Sequence, residues 1–204
     1  MNLLFSPPSL EDFSRLLKAW RFWLLAVLIG ALIGAVVYFL LPPPYRARAT
    51  VLVDFNLEQA WPKDTERQQF YYLERESRKL EDIAWSDSVL KPVAQGSSVS
   101  VSELRNKKLT LSQPAEGGWH FYADDKDRKR AADIASAWSK AFADQATTQV
   151  GQSGGLNSYI QITVTQSADL PVKRSISIST YLLAGSLSFM TLAALAVLFF
   201  HKNK

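Results

Sequence analysis

The chain has 204 residues, a formal net charge of +4, two histidines and no cysteine. Without cysteine it cannot form disulfides, thiolate metal sites or a cysteine nucleophile. An apolar stretch long enough to cross a membrane separates His120 from His201. One subunit therefore cannot assemble a histidine triad or a multi-histidine metal site, and we expect neither a cofactor nor a bound metal.

The first apolar stretch, residues 22–41, contains no charged side chain. About 20 residues suffice to cross roughly 30 Å of hydrocarbon as a helix, where charges are costly. Ala47, Arg48 and Ala49 have the small-x-small form of a signal-peptide cleavage site. The stretch, however, exceeds the roughly 7–15 residues of a signal peptide's hydrophobic region, and three prolines intervene. We expect a retained transmembrane helix, preceded by a cytoplasmic segment at residues 1–21.

Small residues recur along this stretch at Ala26, Gly30 and Gly34. Such spacing lets two transmembrane helices approach closely, which matters because lipid supplies no hydrophobic drive for their association. Ala184 and Ser188 offer a matching small face in a second apolar stretch. We expect these residues to pack the two spans together, or to contact a neighbouring subunit or a polymerase. The alternative is that Gly and Ala are simply common in membrane spans.

The polar segment at residues 42–174 predicts one α+β domain. It opens with a strand at residues 45–55, where apolar and polar residues alternate. An amphipathic helix follows over residues 64–85, and Ser86 or Asp87 can cap a short second helix. The expected inward positions are Ala47, Ala49, Val51, Val53 and Phe55 in the strand, and Phe70, Leu73, Leu80 and Ala84 in the helix.

The second half of this segment predicts two short strands, around residues 109–111 and 119–122. Asp124 or Asp125 is expected to open another amphipathic helix, and residues 159–165 alternate as a last strand. This order predicts amphipathic helices packed on a small mixed sheet. Its first and last strands are able to pair, because both are tethered to the membrane. The expected buried stripe of the helix comprises Ala131, Ile134, Ala135, Trp138 and Phe142.

The second apolar stretch, residues 175–200, predicts another transmembrane helix, followed by a cytoplasmic tail at residues 201–204. Basic residues cluster before the first span and after the second, which favours both termini in the cytoplasm. The domain between them would then be extracytoplasmic, in the periplasm where an outer membrane exists. Four basic residues at the ends of the domain oppose this orientation, but long segments translocate largely regardless of charge.

Charge and aromatic patterns argue against two other function classes. Nucleic-acid binding would need a basic stripe with stacking aromatics, whereas the domain carries both signs in near balance. Glu116 and Asp124 flank Trp119, but nothing in the sequence indicates that two carboxylates converge as glycoside hydrolysis requires. We therefore expect that the protein is not an enzyme. Trp61 and Trp119 are candidate glycan contacts, since a flat apolar ring suits the C–H face of a sugar; core packing is the alternative.

Four short motifs occur in order along the chain. An acidic, Leu- and Trp-containing segment at residues 10–23 leads into the first span, and a "P-x-Y-x-A-x-A" strand follows at residues 44–53. Residues 124–142 resemble a helix of the form "D-P-x-x-A-x-x-I-A-N", and residues 168–171 have the form of an "A-x-x-P" approach to the second span. Together they resemble the chain-length determinant family, the Wzz-type polysaccharide co-polymerases. The motif positions are Pro44, Tyr45, Ala47, Ala49, Asp125, Ala131, Ile134, Ala168 and Pro171.

The resemblance implies a non-catalytic, ring-like homo-oligomer in the bacterial inner membrane. Its implied partners are a membrane polymerase or export machinery, the growing polysaccharide and the lipid bilayer. Its implied role is to regulate the chain length or export of an exopolysaccharide, capsule or O-antigen. The chain would be a minimal member, because only a Gly- and Ser-rich loop separates Gln149 from Tyr159, where larger members insert a long helical extension. Asp125-Lys126 also stands where the family has Asp-Pro.

Two other functions stay open from the sequence. One is a transmembrane modulator of a separate cytoplasmic tyrosine kinase, although the expected tail at residues 201–204 is very short for that role. The other is a ligand-binding sensor domain, although no output module accompanies it. We expect no kinase activity of its own, because neither a phosphate-binding Gly-Lys motif nor a tyrosine-rich tail is found.

Overall fold

The computed structural model describes residues 18–60, 66–113, 118–171 and 173–200. The chain divides into two compact units. One unit, Met1–Pro43 with Ile176–Lys204, contains two apolar helices, and the other, Pro44–Ser175, contains an α+β domain.

The described elements are named here in chain order. The helices are α1 (Trp20–Leu40), α2 (Leu57–Ala60), α3 (Glu66–Ala84), α4 (Asp87–Ser97), α5 (Val101–Glu103), α6 (Arg128–Gln149) and α7 (Ile178–Phe200), and a π-helical turn, Leu104–Lys108, follows α5. The strands are β1 (Tyr45–Asp54), β2 (Leu109–Ser112), β3 (Gly118–Asp125) and β4 (Gln161–Gln166).

The first unit is a packed pair of helices, α1 and α7. Both are long and apolar enough, by length and composition, to cross a membrane. Large apolar side chains such as Leu28 and Leu183 point outward and are about two-thirds exposed, at 67% and 64%. The second helix begins at Ile178 rather than at residue 175, after Ser177, whose hydroxyl bonds to hydroxyls within the first turn.

The second unit is built on a four-stranded sheet of order β2-β3-β1-β4, in which every neighbouring pair is antiparallel. The expected mixed sheet is therefore wrong. Helix α6 joins β3 to β4, and these two strands run in the same direction, but β1 lies between them and pairs with both. No parallel pair forms for that reason. The first and last strands, which the sequence indicated are able to pair, do so in the β1–β4 ladder.

The alternation predicted for β1 is confirmed at Ala47, Ala49, Val51 and Val53, whereas Phe55 follows the strand and is half-buried. The inward positions of β1 are buried, while the intervening side chains are exposed or half-buried. This face packs against α6, where Trp138 and Phe142 are fully buried. The indole N–H of Trp138 donates to the carbonyl of Ala84 at 2.9 Å. This hydrogen bond satisfies both the buried indole N–H and a backbone carbonyl in the last turn of α3.

Helix α6 begins later than the sequence suggests. Asp127 caps it, because its side chain accepts a hydrogen bond from the backbone N–H of Arg130 at 2.8 Å, and the helix starts at Arg128. The expectation that Asp124 or Asp125 opens this helix is wrong. Both residues belong to β3, whose inward alternation continues as far as the buried Asp125.

The buried stripe of α3 also differs from the prediction. Leu80 and Ala84 are buried as expected, but Phe70 is 63% exposed. The stripe instead continues back through Glu76 and Tyr72 at steps of four residues, and both are buried. The helical spacing therefore predicted the buried face of α3 correctly at the C-terminal end of the helix. At the N-terminal end the prediction was wrong, because it chose the apolar Phe70 over the polar Glu76 and Tyr72.

Candidate functional site

Three glycines bring the backbones of α1 and α7 into contact. A Cβ built on Gly30 would overlap the carbonyl of Gly185, and one built on Gly34 would overlap the carbonyl of Tyr181. A Cβ on Gly185 would in turn overlap the carbonyl of Gly30. Since any side chain would separate the two backbones here, glycine alone permits the approach.

The small residues predicted for this contact are only partly found in it. Ala184 and Ser188 are exposed, and the hydroxyl of Ser188 bonds to the carbonyl of Ala184 within its own helix at 2.8 Å. Gly185 lies at the contact instead, because the contact requires a residue without Cβ rather than any small residue. The hydroxyl of Ser186 reaches across to the carbonyl of Val27 at 3.2 Å. The buried members on α1 are Ala26, Gly30 and Gly34.

The first and last residues of the domain along the chain lie side by side. Tyr45 and Arg174 form an antiparallel bridge, and the N–H of Ser175 donates to the carbonyl of Pro44 at 2.8 Å. The chain thus enters and leaves the domain at one place. We call the side chains gathered there the junction cluster; its members are Tyr45, Arg46, Asp124, Arg128 and Arg174.

Two arginines of the junction cluster lie against the ring of Tyr45. The guanidinium carbon of Arg128 is 4.7 Å from the ring centroid, and that of Arg174 is 4.5 Å from it. Both distances suit a cation–π contact. Arg128 also donates to the phenol oxygen at 3.4 Å, and this hydrogen bond is the main cause of a lowered pKa for Tyr45, with both positive charges adding to it.

The other two members form a bidentate ion pair. Arg46 and Asp124 face each other across the β1–β3 ladder. The Nε and Nη2 atoms of Arg46 donate to the two carboxylate oxygens of Asp124 at 2.7 and 2.6 Å. This hydrogen bonding raises the pKa of Arg46 despite partial burial. The paired geometry fixes the side chain and occupies two of its donors.

Asp125 forms a buried ionic centre beside the junction cluster. Its side chain accepts from Lys108 Nζ at 2.6 Å, from Arg130 Nη2 at 2.9 Å and from the N–H of Asp127 at 3.0 Å. Burial favours the neutral acid, but the hydrogen bonds from Arg130, Asp127 and Lys108 outweigh it and lower the pKa of Asp125 to about 2. The carboxylate therefore ties the end of β3 to the start of α6.

The remaining motif positions build the fold rather than a pocket. Ala47 and Ala49 are buried in the central strand β1, so a cleavage there would remove part of the sheet core. The N–H of Ala168 donates to Ser136 Oγ on α6 at 2.9 Å, and Pro171 is buried. Two further positions, Ala131 and Ile134, are buried on α6.

The structure does not support the predicted glycan contact at Trp119. This side chain is 3% exposed, lies on the inward face of β3, and stacks on Phe142 with ring centroids 5.8 Å apart. It therefore presents no free ring face to a sugar. Trp61 lies outside the described residues.

A polar site on α3 was missed from the sequence. Glu76 is fully buried; its Oε2 accepts from the N–H of Asn157 at 3.1 Å, and its Oε1 accepts from Lys79 at 3.1 Å. Lys79 also donates to the carbonyl of Gly155 at 2.6 Å. These contacts fasten the Gly- and Ser-rich loop to α3. Glu76 stands among charged residues in the sequence, which is typical of a solvated helix face, and only its spacing from Leu80 and Ala84 indicates burial.

The family assignment comes from the N-terminal part of the chain. Residues 11–96 match the family model for Wzz, the chain length determinant protein. This match covers 86 of the 204 residues and supports a Wzz-type family member. No curated protein matches the chain. The Wzz match includes the glycines of α1 and the residues of β1, whereas the resemblances at residues 124–142 and 168–171 lie beyond it.

The Wzz match sets the broad role. It supports a chain length determinant role in polysaccharide synthesis, and Wzz proteins are regulators rather than enzymes. Within the described ranges, no group of three or more His, Asp or Glu side chains could hold a metal ion. The two apolar helices near the chain ends fit a two-span membrane protein.

Proposed function

We propose that this protein is an oligomeric inner-membrane scaffold that regulates the chain length or export of a surface polysaccharide. The Wzz match over residues 11–96 is the observation that carries the proposal. Its partners are further copies of the same chain, a membrane polymerase or export machinery, and the growing polysaccharide. It acts by positioning these partners and catalyses no step itself.

The proposed topology places both termini in the cytoplasm and the domain outside it. The neighbouring chain ends of the domain support a two-span hairpin. The basic residues before the first apolar stretch and after the second support the orientation with both termini in the cytoplasm. The native chain has no cysteine, so a single introduced cysteine is the only thiol of the protein that a reagent can label. A membrane-impermeant thiol reagent should label Thr147→Cys, which is exposed on α6, in intact cells or spheroplasts. A cysteine at position 203 should react only after lysis; the reverse pattern would contradict the topology.

Gene deletion tests the role itself. Removing the gene should change the length distribution or the amount of surface polysaccharide on a gel, and the native chain supplied in trans should restore it. Gly34→Leu should restore it poorly, because the added side chain separates α1 from α7. Ala184→Leu is the matched control, since Ala184 is exposed on α7. An unchanged distribution and amount after deletion would reject the proposal.

Mass measurement in detergent tests the scaffold. A discrete homo-oligomer is expected for the purified full chain. A monomer at every protein concentration tested would contradict the oligomeric part of the proposal, without contradicting the chain length role.

A further inference from the structure

We propose that the open face of the four-stranded sheet binds an acidic polysaccharide through Arg48 and the rings of His120 and Tyr122. This inference rests on the proposed function, in which the growing polysaccharide is a partner of the protein. It adds the surface that contacts the polymer and the charge that the polymer carries. These three side chains, together with Thr50, are called the sheet-face cluster.

The sheet has one face covered by helices and one open face. Helix α6 packs on the face that contains Ala49 and Val51. The alternate side chains of β1 to β4 point the other way, and over the described residues none of them is buried; Leu52 is 42% exposed. The same alternation turns Trp119 inward and its neighbour His120 outward. Because antiparallel sheets often leave one face to solvent, the side chains on this face decide whether it suits a ligand.

The register of β1 and β3 assembles the sheet-face cluster. Arg48 lies opposite Tyr122, and Thr50 lies opposite His120. Thr50 Oγ1 and His120 Nδ1 share a hydrogen bond at 3.1 Å, and the ring centroids of His120 and Tyr122 are 6.1 Å apart. The guanidinium carbon of Arg46 lies 5.8 Å from the ring centroid of Tyr122. These contacts hold both rings in place before a ligand arrives, which lowers the entropic cost of binding.

Arg48 supplies a positive charge that no carboxylate neutralises within the described residues. It is exposed and makes no ion pair there, whereas Arg46 is held in bidentate fashion by Asp124. Asp54 also lies on the open face, but it is six positions along β1 from Arg48, about 20 Å away. Burial lowers the pKa of His120, and the charge of Arg48 lowers it further. An anionic group from outside can therefore pair with Arg48 without displacing an internal partner.

The groups around Arg48 favour a sugar polymer over a small anion. Thr110 and Ser112 are exposed on β2 and lie opposite Tyr122 and His120, so hydroxyls and rings form rows across three strands. Flat rings suit the C–H faces of sugars, and the hydroxyls and the imidazole can bond to sugar hydroxyls. A small anion would need the arginine alone. A nucleic acid would need a basic stripe, whereas this face offers one unpaired arginine.

Calorimetric titration of the full chain in neutral detergent tests the proposal, with oligogalacturonate as the acidic probe and its methyl ester as the uncharged one. Arg48→Gln should weaken binding of the acid about fivefold, as expected for one exposed charge pair, and leave binding of the ester unchanged. Tyr122→Ala should weaken binding of both probes, because a ring stacks on either. Lys140→Gln is the matched control, since it removes one exposed positive charge from α6, which packs on the other face of the sheet.

Each outcome decides the inference. It would be overturned if the native chain bound no acid or bound the acid and the ester equally, and if Arg48→Gln kept full affinity or Lys140→Gln lost as much. A smaller oligomer for Arg48→Gln with unchanged probe affinity would show that this face joins two copies of the chain instead. Should Tyr122→Ala unfold, as monitored by near-ultraviolet circular dichroism, Arg48→Gln alone decides. Gene deletion tests the chain length role separately, so that role can stand where probe binding fails.

Discussion

The helix pair and the α+β domain place small and large side chains in opposite positions. In the helix pair, glycines lie at the contact and large residues such as Leu28 and Leu183 face outward. In the domain, large side chains such as Trp138 and Phe142 are fully buried, and charged side chains such as Arg78 lie on the outside. The two units of the chain therefore bury different residue types, glycines in the helix pair and large aromatic side chains in the domain.

The difference follows from the surroundings that each unit suits. In water, removing a large apolar side chain from solvent stabilises the fold by about 1.5–3 kcal/mol, so aromatics gather in a core. In lipid, an exposed leucine has no such penalty, and stability comes from close contact and shared hydrogen bonds. Substitutions that remove one kind of packing should thus leave the other unit intact.

The largest effect is expected for Trp138→Ala. This change removes ring contacts to Trp85 and Phe121, with centroids 5.0 and 4.8 Å away, and leaves the carbonyl of Ala84 without its indole donor. Large-to-small changes at such sites cost about 4 kcal/mol of unfolding free energy. Chemical unfolding of the full chain in detergent, followed by near-ultraviolet circular dichroism, measures it.

Trp138→Phe serves as its partial control. It keeps most of the buried ring and loses only the indole N–H and some volume, so it should cost less than half as much. A loss below about 1 kcal/mol for Trp138→Ala would contradict the core assignment, because few fully buried aromatics are that dispensable.

A smaller but still large effect is expected for Gly34→Leu in the helix pair. Its side chain would overlap the carbonyl of Tyr181, and packed interfaces relieve such overlap only by moving apart, at about 1–3 kcal/mol. Cysteines replacing Val27 and Ser186, which are joined across the contact by a hydrogen bond, should be linked efficiently by a short bismaleimide in the native chain. Gly34→Leu should reduce that yield severalfold.

Ala184→Leu is the matched comparison, because its side chain points away from α1. Its crosslinking yield should equal that of the native chain. If both variants reduced the yield alike, the glycine contact would not be the cause. The unfolding signal of the domain should be unchanged in either variant.

How much the sequence reveals differs between the two units and within the domain. The strand β1 was predictable because strict alternation leaves only one arrangement of its faces, and Ala49 and Val51 are both fully buried as expected. The pairing of β1 with β4 followed from the tether at both ends. The sheet direction was not predictable, since it depends on β1 lying between two strands that a helix connects.

Three residues show where the prediction of buried and exposed faces failed. Glu76 reads as a surface residue in a charged helix, and only the loop around Asn157 makes its burial tolerable. Phe70 reads as a core residue but is exposed. Gly185 escaped notice because Ala184 and Ser188 have the expected four-residue spacing. In each case, burial or exposure depends on contacts between residues far apart in the sequence. The local spacing of apolar residues carries no information about such contacts.

Acid should loosen the domain through Asp125 while sparing the helix pair. Its pKa falls from 3.8 in the unfolded chain to about 2 in the fold. A depressed folded-state pKa stabilises the fold above pH 3.8, and this contribution is lost as pH falls from about 5 through about 2. It amounts to about 2 kcal/mol at neutral pH.

Asp125→Asn isolates this contribution. The variant should be less stable at pH 7, and the part of the pH dependence between pH 5 and 2 that Asp125 causes should disappear from its unfolding free energy. An undiminished pH dependence in the variant would assign that acid sensitivity to other carboxylates. The crosslinking yield of the helix pair should not change over the same range.

The smallest effect is expected for Arg46→Gln in the junction cluster. Although Arg46 and Asp124 are paired by two short hydrogen bonds, the arginine side chain is 40% exposed, and ion pairs of this kind contribute about 0.2–1 kcal/mol. The loss of unfolding free energy should shrink further at 1 M salt, where the Debye length is about 3 Å. Arg78→Gln, which breaks a more exposed pair on α3, should cost less still. A loss above about 2 kcal/mol for Arg46→Gln would mean that this half-exposed pair stabilises the fold far more than a surface ion pair does, and the contrast between core and surface in this domain would then need a different explanation.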